Sequence, residues 1–338
     1  MQALSTKWRP KCFEDVCEQN VIVKILKRQL ELKEFKNAYL FCGASGCGKT
    51  TIARIFAREI NFGMGAPIEI DGASNNGVDN VKSIIKSAQE RSIDGKYKIY
   101  IVDECHSLSN QAWQAFLKCI EEPPAYTIFI FCTTDPQKIP ATILNRVQRF
   151  NFSRISINKI KERLIYICTQ EGFHNYEESV DYIAKISDGG MRDAIALLDK
   201  CSGYSTDLSI ENVLYSLGNY SYETFFYLIN NIIDGKEDAV LTVINDFYNQ
   251  GNDLKLFVDQ FLNFCMDITK YAIFKKCEMT GLPTSMEDKL KNAINFENST
   301  KYYNYIVDNM LKLKNMIKND TNIKTTIEII LLKVTRCQ

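Results

Sequence analysis

One stretch, Gly43-Ala44-Ser45-Gly46-Cys47-Gly48-Lys49-Thr50-Thr51, constrains the fold more than any other part of the chain. It fills every required position of the G-x-x-x-x-G-K-[ST] phosphate loop. Such a loop works only between a strand and a helix, because its backbone N–H groups converge on phosphate oxygens at a helix N-terminus whose partial positive charge faces the anion. The flanks comply. Asn37-Ala38-Tyr39-Leu40-Phe41-Cys42 predicts a short buried strand, and the run from Thr51 to Ile60 predicts a helix. Gly43, Gly46 and Gly48 keep side-chain bulk out of the loop. Lys49 would place its ammonium between the β- and γ-phosphates of a nucleotide, and the Thr50 hydroxyl would bind Mg²⁺. A glycine-rich turn with no ligand is the alternative, and a second motif decides between them.

That motif is Lys98-Ile99-Tyr100-Ile101-Val102-Asp103-Glu104, an apolar run that ends in two carboxylates. It predicts a buried strand with charge at its C-terminal end, the end where open α/β sheets bind ligands. Asp103 would hold Mg²⁺ through water, and Glu104 would polarise the water that attacks the γ-phosphate. A further buried strand, Thr127 to Pro136, ends in hydroxyls. Thr133 then lies level with Asp103, within reach of the attacking water or the γ-phosphate, unless it only terminates the strand.

The length of 338 residues suits two or three domains, and 46% hydrophobic with 24% charged residues is the balance of a globular chain with buried cores. Forty-one basic residues against 41 acidic ones leave no whole-chain charge argument for nucleic acid or membrane, so any such surface is local. No apolar run is long enough to span a bilayer, and Lys7, Arg9, Lys11, Glu14 and Asp15 interrupt any signal-peptide core, so no membrane partner is expected and a cytosolic location is. None of the 12 cysteines forms a C-x-x-C pair. Cys42, Cys119, Cys132, Cys168 and Cys265 sit in apolar runs and read as buried small hydrophobes rather than disulfides or a zinc site.

Ahead of the loop, Thr6-Lys7-Trp8-Arg9-Pro10 and Phe13-Glu14-Asp15-Val16 precede an amphipathic helical stretch from Val21 to Leu30; this cluster forms a base pocket or packs a domain edge. Pro67 to Asp71 predicts another strand, followed by a helix from about Val78. Ser74, Asn75 and Asn76 supply capping and turn chemistry, and with Lys82 this helix start could instead touch a nucleic-acid phosphate backbone. Leu108 to Glu122 predicts a helix stopped by Pro123-Pro124, and Gln148 to Phe152 a last strand after the loop that carries Arg146. Beyond about residue 153 the pattern is helical: 157–170, 176–187 and 191–201 form one group, and a second runs from about Ser221 with an apolar stripe Tyr302-Tyr303-Tyr305-Ile306-Met310-Leu311-Leu313.

Together these motifs resemble the AAA+ clamp-loader ATPases, and within them the gamma/tau subunits of bacterial DNA polymerase III. The resemblance is strong over about residues 3–218 and weaker beyond. It rests on Lys7-Trp8-Arg9-Pro10, Ala38-Tyr39-Leu40-Phe41, the phosphate loop, Glu69-Ile70-Asp71 with Ala73-Ser74, Glu121-Glu122-Pro123-Pro124, Thr133-Thr134-Asp135-Pro136-Gln137-Lys138 and Arg192-Asp193-Ala194. It implies an α/β AAA+ domain with a parallel sheet (1–153), a small helical lid (154–218) and an all-helical oligomerisation collar (219–338). It further implies ATP and Mg²⁺, an adenine pocket from Arg9, Pro10 and Val16, a sensor at Thr133, a second sensor at Arg192 that closes the lid, and Arg146 acting in trans on a neighbour's nucleotide. The implied partners are a sliding clamp, other loader subunits and copies of itself in a pentameric assembly, and primer-template DNA, in a bacterial cytoplasm.

Three departures stand out. Asn145-Arg146-Val147 replaces the usual Ser-Arg-Cys, Glu18 replaces a usual glycine before Gln19, and the family's cysteine-rich zinc module is missing because Asn61 to Pro67 bridges the gap directly. No zinc is therefore expected, and a chain shortened in this way suits a phage or a reduced genome. Two rival readings are a non-hydrolysing scaffold subunit, which has no need of intact Lys49, Thr50, Asp103 and Glu104, and a helicase, since Asp103-Glu104-Cys105-His106 also fits a D-E-x-H box. The helical second half argues against the helicase, which needs a second phosphate-binding-like domain.

Overall fold

The consecutive apolar runs become the three central strands of a sheet, buried on both faces, and the two polar edge strands stay largely exposed. The computed structural model describes residues 2–92, 95–318 and 320–336. The chain divides into two compact units, Met1–Ile167 with Ile186–Asp199, and Cys168–Lys185 with Lys200–Gln338.

In the first unit, short α1 (Leu4–Lys7) and α2 (Asn20–Leu32) lead into β1 (Ala38–Cys42) and α3 (Lys49–Ile60). Then come β2 (Ile68–Asp71), α4 (Val78–Ala88), β3 (Lys98–Asp103), α5 (Asn110–Glu121), β4 (Thr127–Thr133), α6 (Ala141–Leu144) and β5 (Gln148–Asn151). All pairings are parallel, in the order β2-β3-β4-β1-β5. Alternation along each strand divides the side chains between two helical layers. Tyr39, Phe41, Ile101 and Ile130 pack with Leu26 of α2 and Ile52 and Phe56 of α3, whereas Leu40, Val102, Phe129 and Phe131 pack with Val81 of α4 and Trp113 and Phe116 of α5. Burying each such side chain contributes roughly 1.5–3 kcal/mol. The register pairs Cys42 with Thr133 and Asp71 with Asp103, so the C-terminal strand ends form one edge that carries the chemistry.

The expected capping of α4 is not found. Its N-cap is Gly77 with no side-chain cap, because Asp71 takes the candidate groups first: Ser74 Oγ donates to Asp71 Oδ2 at 2.6 Å and Asn75 Nδ2 to the Asp71 carbonyl at 3.0 Å. The Ser74 hydroxyl, and after it the Ala73 N–H on Oδ1, hold the Asp71 carboxylate below its usual range.

After β5 the helices α7 (Ile157–Glu171), α8 (Glu177–Ile186), α9 (Met191–Tyr204) and α10 (Ile210–Leu217) follow, and the chain ends with α11 (Tyr222–Ile233), α12 (Glu237–Asn249), α13 (Leu254–Phe274), α14 (Glu287–Ala293), α15 (Ser299–Met316) and α16 (Ile323–Arg336). The second unit's core is aromatic, with Phe225 of α11 against Phe257, Phe261 and Phe264 of α13. On α15 Tyr303, Ile306, Met310 and Leu313 are buried, whereas Leu311 is exposed because one helical step from Met310 turns it off the stripe. Burial pushes the Tyr303 hydroxyl far above its ordinary range, and it donates to the Ala293 carbonyl at 2.8 Å. The five cysteines read as core are all buried. Among the described residues no helix is long and apolar enough to cross a membrane.

Candidate active site

The loop after β1 delivers the N-terminus of α3 into a cavity of the first unit. Gly48 is the N-cap of α3 at φ 101°, a left-handed conformation that disfavours side chains, and no side chain caps the first turn. A Cβ on Gly46 would lie 2.8 Å from Gly190 Cα, so only glycine lets the loop approach that closely. Lys49 is 6% exposed, and its Nζ donates to the Gly43 and Ala44 carbonyls at 2.9 Å each. Among the described residues it has no carboxylate partner. A buried ammonium held by neutral oxygens beside uncapped helix N–H groups fits a phosphate chain.

Thr50 Oγ1 donates to Asp103 Oδ2 at 2.9 Å, and the Glu104 N–H donates to Asp103 Oδ1 at 3.0 Å. This hydroxyl and carboxylate are the oxygen donors that Mg²⁺ takes, with water completing the shell. Glu104 turns the chain at φ 45° and lines the same cavity. Thr134 Oγ1 donates to Glu104 Oε2 at 3.1 Å, and His106 Nδ1 stands 3.3 Å from the same oxygen. Thr133 is fully buried; its Oγ1 accepts the Asp135 N–H at 3.0 Å and lies 3.2 Å from His106 Nδ1, while its carbonyl accepts the Gly43 N–H at 3.2 Å. Burial pushes the Cys105 and Cys132 thiols far above their ordinary range, with Asp103 and Glu104 adding to it, so they are neutral neighbours.

Arg9, Pro10, Val16, Ser45 to Thr51, Asp103, Glu104 and Arg192 all line one cavity. Trp8 lines the cavity too, and its ring stands edge-on to Tyr166 at 5.5 Å, with Arg163 Nη2 donating to its carbonyl at 3.0 Å. The start of α9 is bound to the loop through the Met191 N–H and the Gly46 carbonyl at 3.1 Å, which brings Arg192 to the cavity. Gly43, Ala44 and Thr133 are not among its lining residues; the Gly43 and Ala44 carbonyls hold Lys49, and the Thr133 carbonyl holds the Gly43 N–H.

Other expected residues lie elsewhere. Arg146 donates from Nη1 to the Thr142 carbonyl at 2.8 Å and pairs through Nη2 with Glu121 Oε1 at 2.7 Å, half-exposed and outside the cavity lining. Lys82 stands 3.7 Å from Asp79 and lines a separate groove between α4 and α5. Ser74 and Asn75 serve Asp71.

Sequence reading missed Gln19 and His106. Gln19 is buried, donates to the Ser153 carbonyl at 2.7 Å and the Cys47 carbonyl at 3.4 Å, and accepts the Ser153 N–H at 3.3 Å, so it fastens the loop to the chain after β5. Glu18, where relatives were expected to hold glycine, has φ 58° and offsets that conformation by accepting the Ser156 N–H at 2.9 Å. The only sequence signal for Gln19 is an amide just before a helix and beside that unusual position.

Comparison with known proteins agrees along the chain. Residues 66–156 match the family described as DNA polymerase III, delta subunit; residues 159–204 match the DNA polymerase III clamp loader subunit, ATPase lid domain; and residues 208–338 match DNA polymerase III subunits gamma and tau domain III. The DNA polymerase III subunit gamma of Buchnera aphidicola subsp. Acyrthosiphon pisum is 32% identical, over 81% of this chain and 82% of that one. The subunit tau of Bacillus subtilis is 38% identical over 80% of this chain and 52% of its own, and the gamma/tau subunit of Mycoplasma genitalium 30% over 90% and 54%. The chain thus spans about half the length of several relatives that it matches. Among solved structures, the Thermotoga maritima RuvB Holliday junction branch migration motor aligns at TM-score 0.54 and 19% identity, over 67% of this chain and 79% of that chain. This likeness concerns fold alone, and the fold is the expected α/β AAA+ arrangement.

Proposed function

The chain belongs to the DNA polymerase III gamma/tau family, and from that premise we propose that it is the ATP-hydrolysing motor subunit of a loader that opens a sliding clamp and places it on primer-template DNA. The observation that supports this most is the convergence of Lys49, the Thr50–Asp103 pair, Glu104 and Arg192 on one cavity. A subunit that served only as scaffold would need no such set. In this reading Arg9, Pro10 and Val16 hold the adenine, the loop N–H groups and Lys49 hold the phosphates, and Glu104 takes the proton of the attacking water. Mg²⁺ held near Thr50 and Asp103 would neutralise phosphate charge. Arg192 joins the γ-phosphate to α9, and Thr133 orients the water or that phosphate. ATP binding favours the clamp-opening assembly, and hydrolysis after DNA contact releases the clamp. The start of α4 with Lys82 is the proposed DNA-backbone contact. The proposed division remains 1–153, 154–218 and 219–338, with the last part assembling subunits, and the chain is expected to hold no zinc, which elemental analysis checks.

Arg146 is proposed to reach a neighbouring subunit's nucleotide. As a half-exposed pair with Glu121 it contributes only about 0–1 kcal/mol to the fold, whereas an arginine finger is worth about 10³-fold or more in rate. The test is ATP turnover of the assembled loader with and without primed DNA and clamp. Glu104→Gln should bind ATP and lose turnover. Arg146→Ala should bind ATP and lose turnover only in the assembly, and mixing it with Lys49→Ala should restore part of it. Absent turnover in the wild-type assembly would leave the scaffold reading, and mixed oligomers that recover nothing would remove the trans role.

A further inference from the structure

The turn after β3 places a ring nitrogen between two groups of the hydrolysis site. Glu104, at φ 45°, starts a short 3₁₀ turn over Cys105–Ser107, fixed by the Ser107 N–H on the Glu104 carbonyl at 3.0 Å and the Leu108 N–H on the Cys105 carbonyl at 3.1 Å. Cys105 is fully buried and anchors the turn. The turn brings His106 Nδ1 within 3.3 Å of Glu104 Oε2 and 3.2 Å of Thr133 Oγ1.

One nitrogen serves one of these neighbours as donor or the other as acceptor. Thr133 Oγ1 accepts the Asp135 N–H at one lone pair, and its own hydrogen has no acceptor other than His106 Nδ1 among the described residues. Glu104 Oε2 already accepts the Thr134 hydroxyl, and among the described residues Oε1 takes no hydrogen bond.

We infer that His106 is a positioning residue for hydrolysis, a reading that rests on the proposed role of Glu104: with hydrogen on Nδ1 the ring pins Oε2 beside Thr134, leaves Oε1 to take the proton of water, and frees the Thr133 hydroxyl hydrogen for the nucleotide or water. The other tautomer reverses both effects. A bare Nδ1 accepts the Thr133 hydrogen and turns a lone pair toward Oε2. The position of one proton therefore sets the base and the buried hydroxyl together, which neither Glu104 nor Thr133 could do alone.

Asparagine at position 106 places an amide N–H near the Nδ1 position, whereas glutamine places it farther out, near Nε2. Single-turnover ATP hydrolysis and the affinity for a non-hydrolysed ATP analogue should be measured for full-length His106→Ala, His106→Gln and His106→Asn. Alanine and glutamine should slow hydrolysis roughly 10- to 100-fold, the size of effect that misplacing a reacting group has, with nucleotide affinity unchanged. Asparagine should recover most of the rate. In a Glu104→Gln background, His106→Ala should add less than about twofold, because the two side chains act through one group. Glutamine matching asparagine, a rate loss that follows a loss of affinity, or a full further loss on top of Glu104→Gln would each overturn the inference. If the alanine variant does not fold, the asparagine and glutamine pair still decides. Glu104→Gln turning over at the wild-type rate would sink the base assignment and this link with it, whereas an inactive Glu104→Gln beside a normal His106→Ala would sink the link alone.

Discussion

Two strand–turn–helix units lie in the same sheet, β1 into α3 and β2 into α4, and they treat negative charge in opposite ways. Both helices have a glycine N-cap and no side-chain cap. In α3 the first turn has no acid, and Lys49 is buried against neutral carbonyls. In α4 the first turn holds Asp79, already 3.7 Å from an exposed Lys82, and Asp71 gathers Ser74 and Asn75. The same topology thus leaves a helix end suited to an anion at α3, where no carboxylate is resident and a cation is held out of water, and not at α4. At α4 the favourable end of the helix dipole, about 0.3–1 kcal/mol, is already used by Asp79.

The largest way to break this contrast is Lys49→Ala. It removes the buried ammonium, which should cost about 3–5 kcal/mol of nucleotide binding, or roughly 10²–10³-fold and more, as read by calorimetric titration with ATP. A smaller change makes α3 resemble α4. Thr51→Asp puts an acid in the first turn and should weaken ATP binding by roughly 5- to 30-fold, since a charge at a helix end is worth about 1–2 kcal/mol in a partly buried site. The acid favours the helix itself, so the thermal midpoint should not fall; a lowered midpoint would assign the loss to misfolding. The smallest change runs the other way at α4. Asp79→Asn should raise affinity for primed DNA by about 2- to 5-fold, and Lys82→Ala should reduce the salt slope of binding by about 1. A slope unchanged by Lys82→Ala would take the DNA contact away from this helix.

Legibility differed along the chain for physical reasons. The strands β1, β3 and β4 and the loop could be read because a sheet buried on both faces needs unbroken apolar runs, and the phosphate loop has little freedom in its residues. The cavity followed, since Asp103, Thr50 and Lys49 are fixed by the elements that carry them. Gln19 could not be read, because its partner Ser153 is 134 residues away and an amide has no periodicity. In sequence His106 is only the last letter of a D-E-x-H string; its link to Thr133 depends on the left-handed backbone at Glu104, which no local propensity announces. In sequence Asp71 is only a strand end, and its diversion of Ser74 and Asn75 from capping depends on how closely the turn folds back. In the second unit, uniform helical periodicity showed the class of structure but not where one helix stops and the next begins.

The bond from the Met191 amide to the Gly46 carbonyl makes one backbone proton a gauge of the contact between α9 and the loop. Met191 opens α9, where the first N–H groups have no partner in their own helix. Its exchange with solvent deuterium therefore depends on contact with the loop rather than on the helix around it. Whatever lifts α9 from the phosphate loop should expose this amide while the middle of α9 stays protected, so the opening of that contact could be timed from one residue without any attached label.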